Sequence, residues 1–198
     1  MSSETDKPLR LIAVCGLRGI GKSTVLQRLK ELDPSIRVVF MSRELKAFSL
    51  KITERDFFEH DVPTRDVLRE LFGSDLIGRL KDDGGTVVLD IHFTDIRESA
   101  DKIIQPQTLI QDITAFIVLD ASNETIVERR IKDKELSLGR SLAIVEIQRE
   151  RESQLTAAQK LAAEHRRPLF FVSAEQTVDE ICTELRLALA AAIFSERY

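Results

Sequence analysis

Five short apolar runs punctuate the chain: Leu9–Cys15, Ile36–Met41, Thr86–Asp90, Thr114–Asp120 and Pro168–Val172. Their apolar character is nearly continuous and does not alternate with polar residues. That is the pattern of strands buried on both faces of a parallel sheet. The longer stretches between them carry apolar residues three and four apart, the period of a helix. Thr24–Leu32 is helical and stops at Asp33-Pro34. Ser42 is placed to cap a helix reaching Ser49 or Leu50. Thr53–Leu80 reads as helices broken at Val62-Pro63, with Asp61 as a cap and Leu68, Leu71, Phe72, Leu76 and Leu80 on one face. Lys81–Gly85 ends it with polar residues and glycine. Thr94–Gln107 shows no clear period and is expected to hold a loop and a short helix beside Pro106. Ser122 or Asn123 caps a helix running through Arg129-Arg130, and Leu138-Gly139 breaks the pattern. A long charged helix then spans Ser141–His165, and Thr177 or Asp179 opens a final amphipathic helix to Phe194.

Strands alternating with helices predict an α/β three-layer domain built on a parallel sheet, with helices on both faces. No repeat, low-complexity tract or linker interrupts it. One domain is therefore expected over 9–198, preceded by a polar, loosely ordered 1–8.

Composition narrows the field. The formal charge of −4 supplies no basic field, which disfavours nonspecific nucleic-acid binding. The chain has no Trp and a single Tyr, Tyr198, so an aromatic base-stacking platform is not expected. Its two cysteines, Cys15 and Cys182, are far apart and lack metal-ligand spacing. Both read as small core residues in a reducing compartment. No basic start leads into a signal-like apolar run, and no apolar stretch reaches membrane-spanning length, so a cytoplasmic protein with no membrane association is expected.

The candidate chemistry sits where the first apolar run ends. Gly16-Leu17-Arg18-Gly19-Ile20-Gly21-Lys22-Ser23 spells G-x-x-x-x-G-K-S, with Thr24 opening the helix. Strand, glycine-rich turn and helix N-terminus are together the context of a phosphate-binding P-loop. Glycines let the backbone wrap an anion at close range. The helix adds free N–H groups and the positive end of its dipole. In such a loop Lys22 reaches the outer phosphates and the Ser23 hydroxyl is a ligand for Mg²⁺. ATP and Mg²⁺ are the expected cofactors, with Gly16 through Thr24 as the nucleotide cradle.

Asp90 ends the third run, the usual place for a carboxylate holding Mg²⁺ or its water shell. The ligand crevice of a parallel sheet lies beyond the strand C-termini, which puts Asp90 near Ser23. Asp120 looks alike locally, but Asp90 is favoured because His92 follows in Asp90-Ile91-His92. His92 is a candidate for orienting a substrate. Arg129, Arg130 and Lys132, the break at Gly139, and Arg140 suggest a short arginine-bearing lid over 133–140. Of these, Arg129 and Arg140 are candidate catalytic residues. Arg149, Arg151, Arg166 and Arg167 alternate with Glu and read as a solvated face. The region 42–81 is expected to bind the acceptor. There Arg55 is the candidate, whereas Arg65 and Arg69 read as intrahelical partners of Asp66 and Glu70.

Taken together, these blocks resemble the archaeal-type adenylate kinases of the nucleoside monophosphate kinase group. The likeness rests on Ile12–Thr24, Glu54-Arg55-Asp56, Val88-Leu89-Asp90-Ile91-His92, and the Phe116–Lys132 strand and helix. It implies a five-stranded parallel sheet in the order 2-3-1-4-5 with a short lid, and the reaction ATP + AMP ⇌ 2 ADP. It also implies Arg129 beside the adenine and lid, Arg55 near the AMP phosphate, and a homo-oligomer, trimer or dimer. The acceptor side departs from the family pattern: Glu59 stands near the place of an expected second arginine, and Asp95–Gln107 replaces a Pro/Gly-rich segment. The partner expected is thus a small phosphate acceptor, AMP or similar, with other nucleotides and metabolites as alternatives. An ATP-dependent switch or ATPase that presents 141–167 to a protein or RNA is a further alternative.

Overall fold

The computed structural model describes residues 8–95, 102–132 and 141–195. Its five parallel strands are β1 (Arg10–Cys15), β2 (Arg37–Phe40), β3 (Thr86–Ile91), β4 (Ile113–Asp120) and β5 (Leu169–Ser173), ordered β2-β3-β1-β4-β5. The order expected from the family likeness is the order found. The helices are α1 (Lys22–Leu32), α2 (Met41–Thr53), α3 (Val62–Asp83), α4 (Gln107–Asp112), α5 (Asn123–Lys132), α6 (Ile144–Glu164) and α7 (Val178–Ser195). A single 3₁₀ turn, Phe57–Glu59, lies between α2 and α3.

Both faces of the sheet are covered, which is why the strand runs looked continuous. Along β1, Leu11, Ala13 and Cys15 join the core beneath α3, α4 and α6, while Ile12 and Val14 join the core beneath α1 and α7. A bulge where Leu11 pairs with Ile113 and Ile12 with Ala115 leaves Thr114 over, and its hydroxyl donates to the Leu11 carbonyl at 3.2 Å. The extra residue explains why Ile113 and Phe116, three apart, share a face. Cys15 and Cys182 are buried free thiols, as expected, and burial pushes Cys15 up to about 12. Among the described residues, no helix is long and apolar enough to cross a membrane.

Several ends form as the local chemistry dictates. Asp61 caps α3 by accepting from the Thr64 N–H at 2.9 Å, with Pro63 in the first turn. Ser122 caps α5 by accepting from Thr125 N–H at 3.2 Å. Thr177 and Glu180 form a capping box at α7, the Thr177 N–H donating to Glu180 Oε2 at 3.0 Å. Three expectations change. The helix α1 starts at Lys22, so the lysine of the loop is itself the first helical residue. The helix α2 follows β2 directly at Met41 with no side-chain cap, so the cap expected from Ser42 does not form, and the Met41 side chain packs into the core. On α3, Leu71 is 52% exposed, and Ile77 and Gly73 complete the buried face instead. The lid expected at 133–140, with Arg140, lies outside the described residues.

Two glycines on α3 separate packing from propensity. A Cβ at Gly73 would stand 2.6 Å from Pro106 Cβ, whereas nothing lies within 4 Å of one at Gly78. Replacing a helical glycine with alanine normally gains about 1 kcal/mol. Gly78→Ala is expected to show that gain in urea unfolding. Gly73→Ala is expected to be net destabilising, because the overpacking cost of about 1–3 kcal/mol exceeds it.

Candidate active site

The glycine-rich loop leaves β1 and enters α1 with its glycines in conformations that side chains avoid. Gly19 has φ +89° and Gly21 φ +92°. Contact also matters, since a Cβ at Gly16 would lie 2.6 Å from the Leu119 carbonyl oxygen and one at Gly19 would lie 2.9 Å from Arg130 Cγ. No side chain caps α1 and no acid lies in its first turn, so its N-terminal N–H groups and dipole face the loop's concavity.

Parallel pairing of Val14 with Asp90 brings the end of β3 level with the loop. There the Lys22 ammonium contacts Asp90 Oδ1, and the Ser23 hydroxyl donates to Asp90 Oδ2 at 2.7 Å. Lys22 is only 4% exposed. Burial pushes its ammonium down to about 7, with repulsion from Arg18 adding to the effect. The carboxylate against it works the other way and favours the charged form. Asp120, the rival carboxylate, is instead held by Arg151 through two parallel bonds of 2.6 Å. Arg151 is therefore a fixed partner of a strand end and not a solvated charge, as its sequence context had suggested.

His92 hydrogen-bonds through Nδ1 to the Gly16 carbonyl at 2.8 Å. It braces the loop and also lines the cleft described below. Arg129 donates to the Ile20 carbonyl at 2.5 Å and so lies along the loop. The neighbouring Arg130 is a residue whose importance the sequence did not reveal. It is 2% exposed, and every nitrogen of its guanidinium donates to a protein partner. Nε and Nη2 donate to the Arg18 carbonyl at 3.2 and 3.1 Å, Nη1 to the Ser141 carbonyl at 2.8 Å, and Nη2 also to Glu150 Oε2 at 2.7 Å. One side chain thus ties the loop to α5 and α6. Its hint in the sequence was Glu150, an acid on the inner face of a charged helix, visible only once the helix packing is known.

Beside the loop opens a cleft between α2, the 3₁₀ turn, α3 and the segments that flank 96–101. Phe57, Phe58 and Phe72 form much of its wall, and Arg18, His92 and Asp95 mark its end at the loop. Arg69 also lines it, packed over the Phe57 ring at 5.1 Å and bonded to Asp66 at 2.9 Å. That bond is the intrahelical pairing expected, but the burial of Arg69 was not. Arg55 is not among the lining residues; it donates to the Glu59 carbonyl at 2.8 Å and remains exposed.

The donors present fit a magnesium nucleotide. Ser23 and Asp90 offer hard oxygens side by side below an uncapped helix N-terminus. Among the described residues no group of three or more His, Cys, Asp or Glu could hold a metal. A cation here would take its remaining ligands from phosphate and water, which is how Mg²⁺ binds in such sites. Sheet order, loop and strand-end carboxylate define a P-loop NTPase domain of the kinase-like kind. Residues 15–146 match the family described as AAA domain, and the chain belongs to that family. No curated protein matches the chain.

The bracing by Arg130 and the cap of α5 are each open to test. Arg130→Met leaves Glu150 buried without its cation and is expected to cost about 3–5 kcal/mol in urea unfolding. Arg130→Met combined with Glu150→Leu recovers most of that loss. Glu175 accepts from the Ser122 N–H and the Thr125 hydroxyl at the start of α5, and these bonds hold its carboxyl below the ordinary 4.5. Its stabilisation is complete above pH 4.5 and is lost as the pH falls through the lower folded value. Thermal unfolding of wild type and Glu175→Gln is expected to differ at pH 6 and to converge toward pH 3.

Proposed function

We propose that the chain is an ATP-dependent phosphotransferase acting on a small acceptor seated in the aromatic cleft. One observation carries this reading: Lys22, Ser23 and Asp90 meet at the helix N-terminus, and the cleft reaches the same loop through Arg18. In this reading the backbone from Gly16 to Thr24 cradles the phosphates. Lys22 exchanges Asp90 for the outer phosphate oxygens. Ser23 and Asp90 would hold a Mg²⁺ ion directly or through water, which would supply charge neutralisation for the transferring group. Arg129, already on the loop, sits at the nucleotide side. A wall of Phe57, Phe58 and Phe72 keeps water from the acceptor.

AMP is the acceptor that the adenylate kinase likeness implies. That finer reading asks Arg55 to approach the acceptor phosphate, yet the Arg55 guanidinium binds the Glu59 carbonyl outside the cleft lining. The broader assignment, transfer to a small acceptor, has the better support.

The test is ADP formation from MgATP with a panel of acceptors. Acceptor-dependent ADP release supports phosphoryl transfer; slow hydrolysis that no acceptor stimulates would overturn it in favour of a nucleotide-dependent switch. Lys22→Met is expected to lower turnover by about 10²–10³-fold. Asp90→Asn is expected to raise the Mg²⁺ requirement by about 10–100-fold, read by magnesium titration of the same assay.

A further inference from the structure

We infer that the acceptor is a ring-bearing small molecule offering a neutral hydroxyl, and that Asp95 receives the proton of that hydroxyl. This inference rests on the phosphotransferase reading and specifies what faces the nucleotide.

The wall of the cleft speaks for a flat, apolar body. Phe57 and Phe72 are 2% and 1% exposed and form a rigid floor, while Phe58 is 43% exposed and lies at the rim. Met41 and Leu45, from the first turns of α2, extend the apolar lining. Slots of this kind hold rings by area burial and offset stacking. Ser42 and Gln105 are the neutral polar groups in the lining. Gln105 donates one amide N–H to the His92 carbonyl, which leaves its second N–H and its carbonyl oxygen to meet a ligand.

Charge at the two ends decides the nucleophile. An acceptor phosphate is dianionic near neutral pH and needs unspent cations. Arg69, deep in the wall, is bonded to Asp66 and stacked on Phe57. Arg18, at the loop end, stands 3.5 Å from the Asp95 carboxylate. Asp95 is 7% exposed and lines the cleft beside His92. A phosphate entering at the loop end meets that carboxylate, and Arg18 beside it is already paired with Asp95. A hydroxyl meets a hydrogen-bond acceptor instead.

Asp95 is held where that role needs it. On the strand side, Gln154 of α6 grips the preceding residues: the Phe93 N–H donates to Gln154 Oε1 at 2.8 Å, and Gln154 Nε2 donates to the Thr94 carbonyl at 2.6 Å. Gln154 is 6% exposed, so the clamp is a buried one. In the step itself the hydroxyl oxygen bonds to the γ-phosphorus as the bond from that phosphorus to the β,γ-bridging oxygen breaks. The nucleoside diphosphate departs with the electron pair of the broken bond. The hydroxyl proton passes to Asp95 and then to water. The loose transition state needs no strong base, so a carboxylate beside an arginine suffices.

The experiment uses the full chain with Mg²⁺ and γ-labelled ATP. The acceptors are adenosine, guanosine, cytidine and thymidine, and separately their 5′-monophosphates. Label is expected in the product of at least one nucleoside, with the monophosphates at least about tenfold poorer. Asp95→Asn is expected to lower kcat by about 10²-fold or more with the KM for ATP unchanged. Phe58→Ala, at a ring that is 43% exposed and meets Phe57 edge-on, is expected to raise the nucleoside KM about tenfold with kcat little changed. Transfer to monophosphates with nucleosides inert overturns the inference while leaving the phosphotransferase reading intact. So does an Asp95→Asn enzyme with normal kcat, or a Phe58→Ala enzyme with normal KM. ATP hydrolysis that labels no acceptor overturns both.

Discussion

The contact of Lys22 and Ser23 with Asp90 is the constraint on which the rest of the site depends. A buried ammonium is costly unless a carboxylate stands against it. The two lie 68 residues apart in the chain, and only the pairing of β1 with β3 makes them neighbours. Sheet order is therefore part of the chemistry, because it delivers a carboxylate to the mouth of a loop built for anions. The same contact holds the Ser23 hydroxyl and the Asp90 oxygen side by side, as a shared metal would require.

The loop itself is braced from outside. Arg130 ties the Arg18 carbonyl to Glu150 and to the start of α6, and His92 holds the Gly16 carbonyl from the end of β3. Arg129 takes a third carbonyl, that of Ile20. With carbonyls occupied behind it, the loop presents its N–H groups to the concave side, which is the polarity that phosphate demands. Preorganisation of this kind avoids reorganising dipoles when the anion arrives. Gly19 is needed both for its φ of +89° and for the room that Arg130 takes up, so one glycine answers to a local and a distant requirement.

The cleft beside the loop shows how burial alters the meaning of a charge. Arg69 and Arg151 look alike in sequence, each in a helix rich in acids. One lines the cleft over Phe57, and the other fixes Asp120. Arg55, in a less regular segment, looked the better ligand and instead folds back on its own turn. Pairing within the fold holds Arg55, Arg130 and Arg151, and at the loop end Arg18 stands beside the Asp95 carboxylate.

The loop, the strand runs and the caps at Asp61, Ser122 and Thr177 were legible in the linear chain because each depends on residues at most a few positions apart. Glycine spacing, apolar continuity and cap chemistry are local, and their outcome survives whatever packs around them. The preference for Asp90 over Asp120 rested on the neighbouring His92; in the fold Asp90 meets Lys22 and Ser23, and Asp120 is held by Arg151. What the linear chain could not show was which arginines are spent and on what. Arg130 on Glu150, Arg151 on Asp120 and Arg18 beside Asp95 join positions 20, 31 and 77 apart. The cleft wall likewise gathers Phe57, Phe72 and Pro106 from three separate segments. Those juxtapositions arise from the sheet order and from the faces on which the helices bury their apolar stripes. The sequence by itself determined a nucleotide-binding loop; tertiary structure decided what stands opposite it, because desolvation and ion pairing act between residues that only packing brings together.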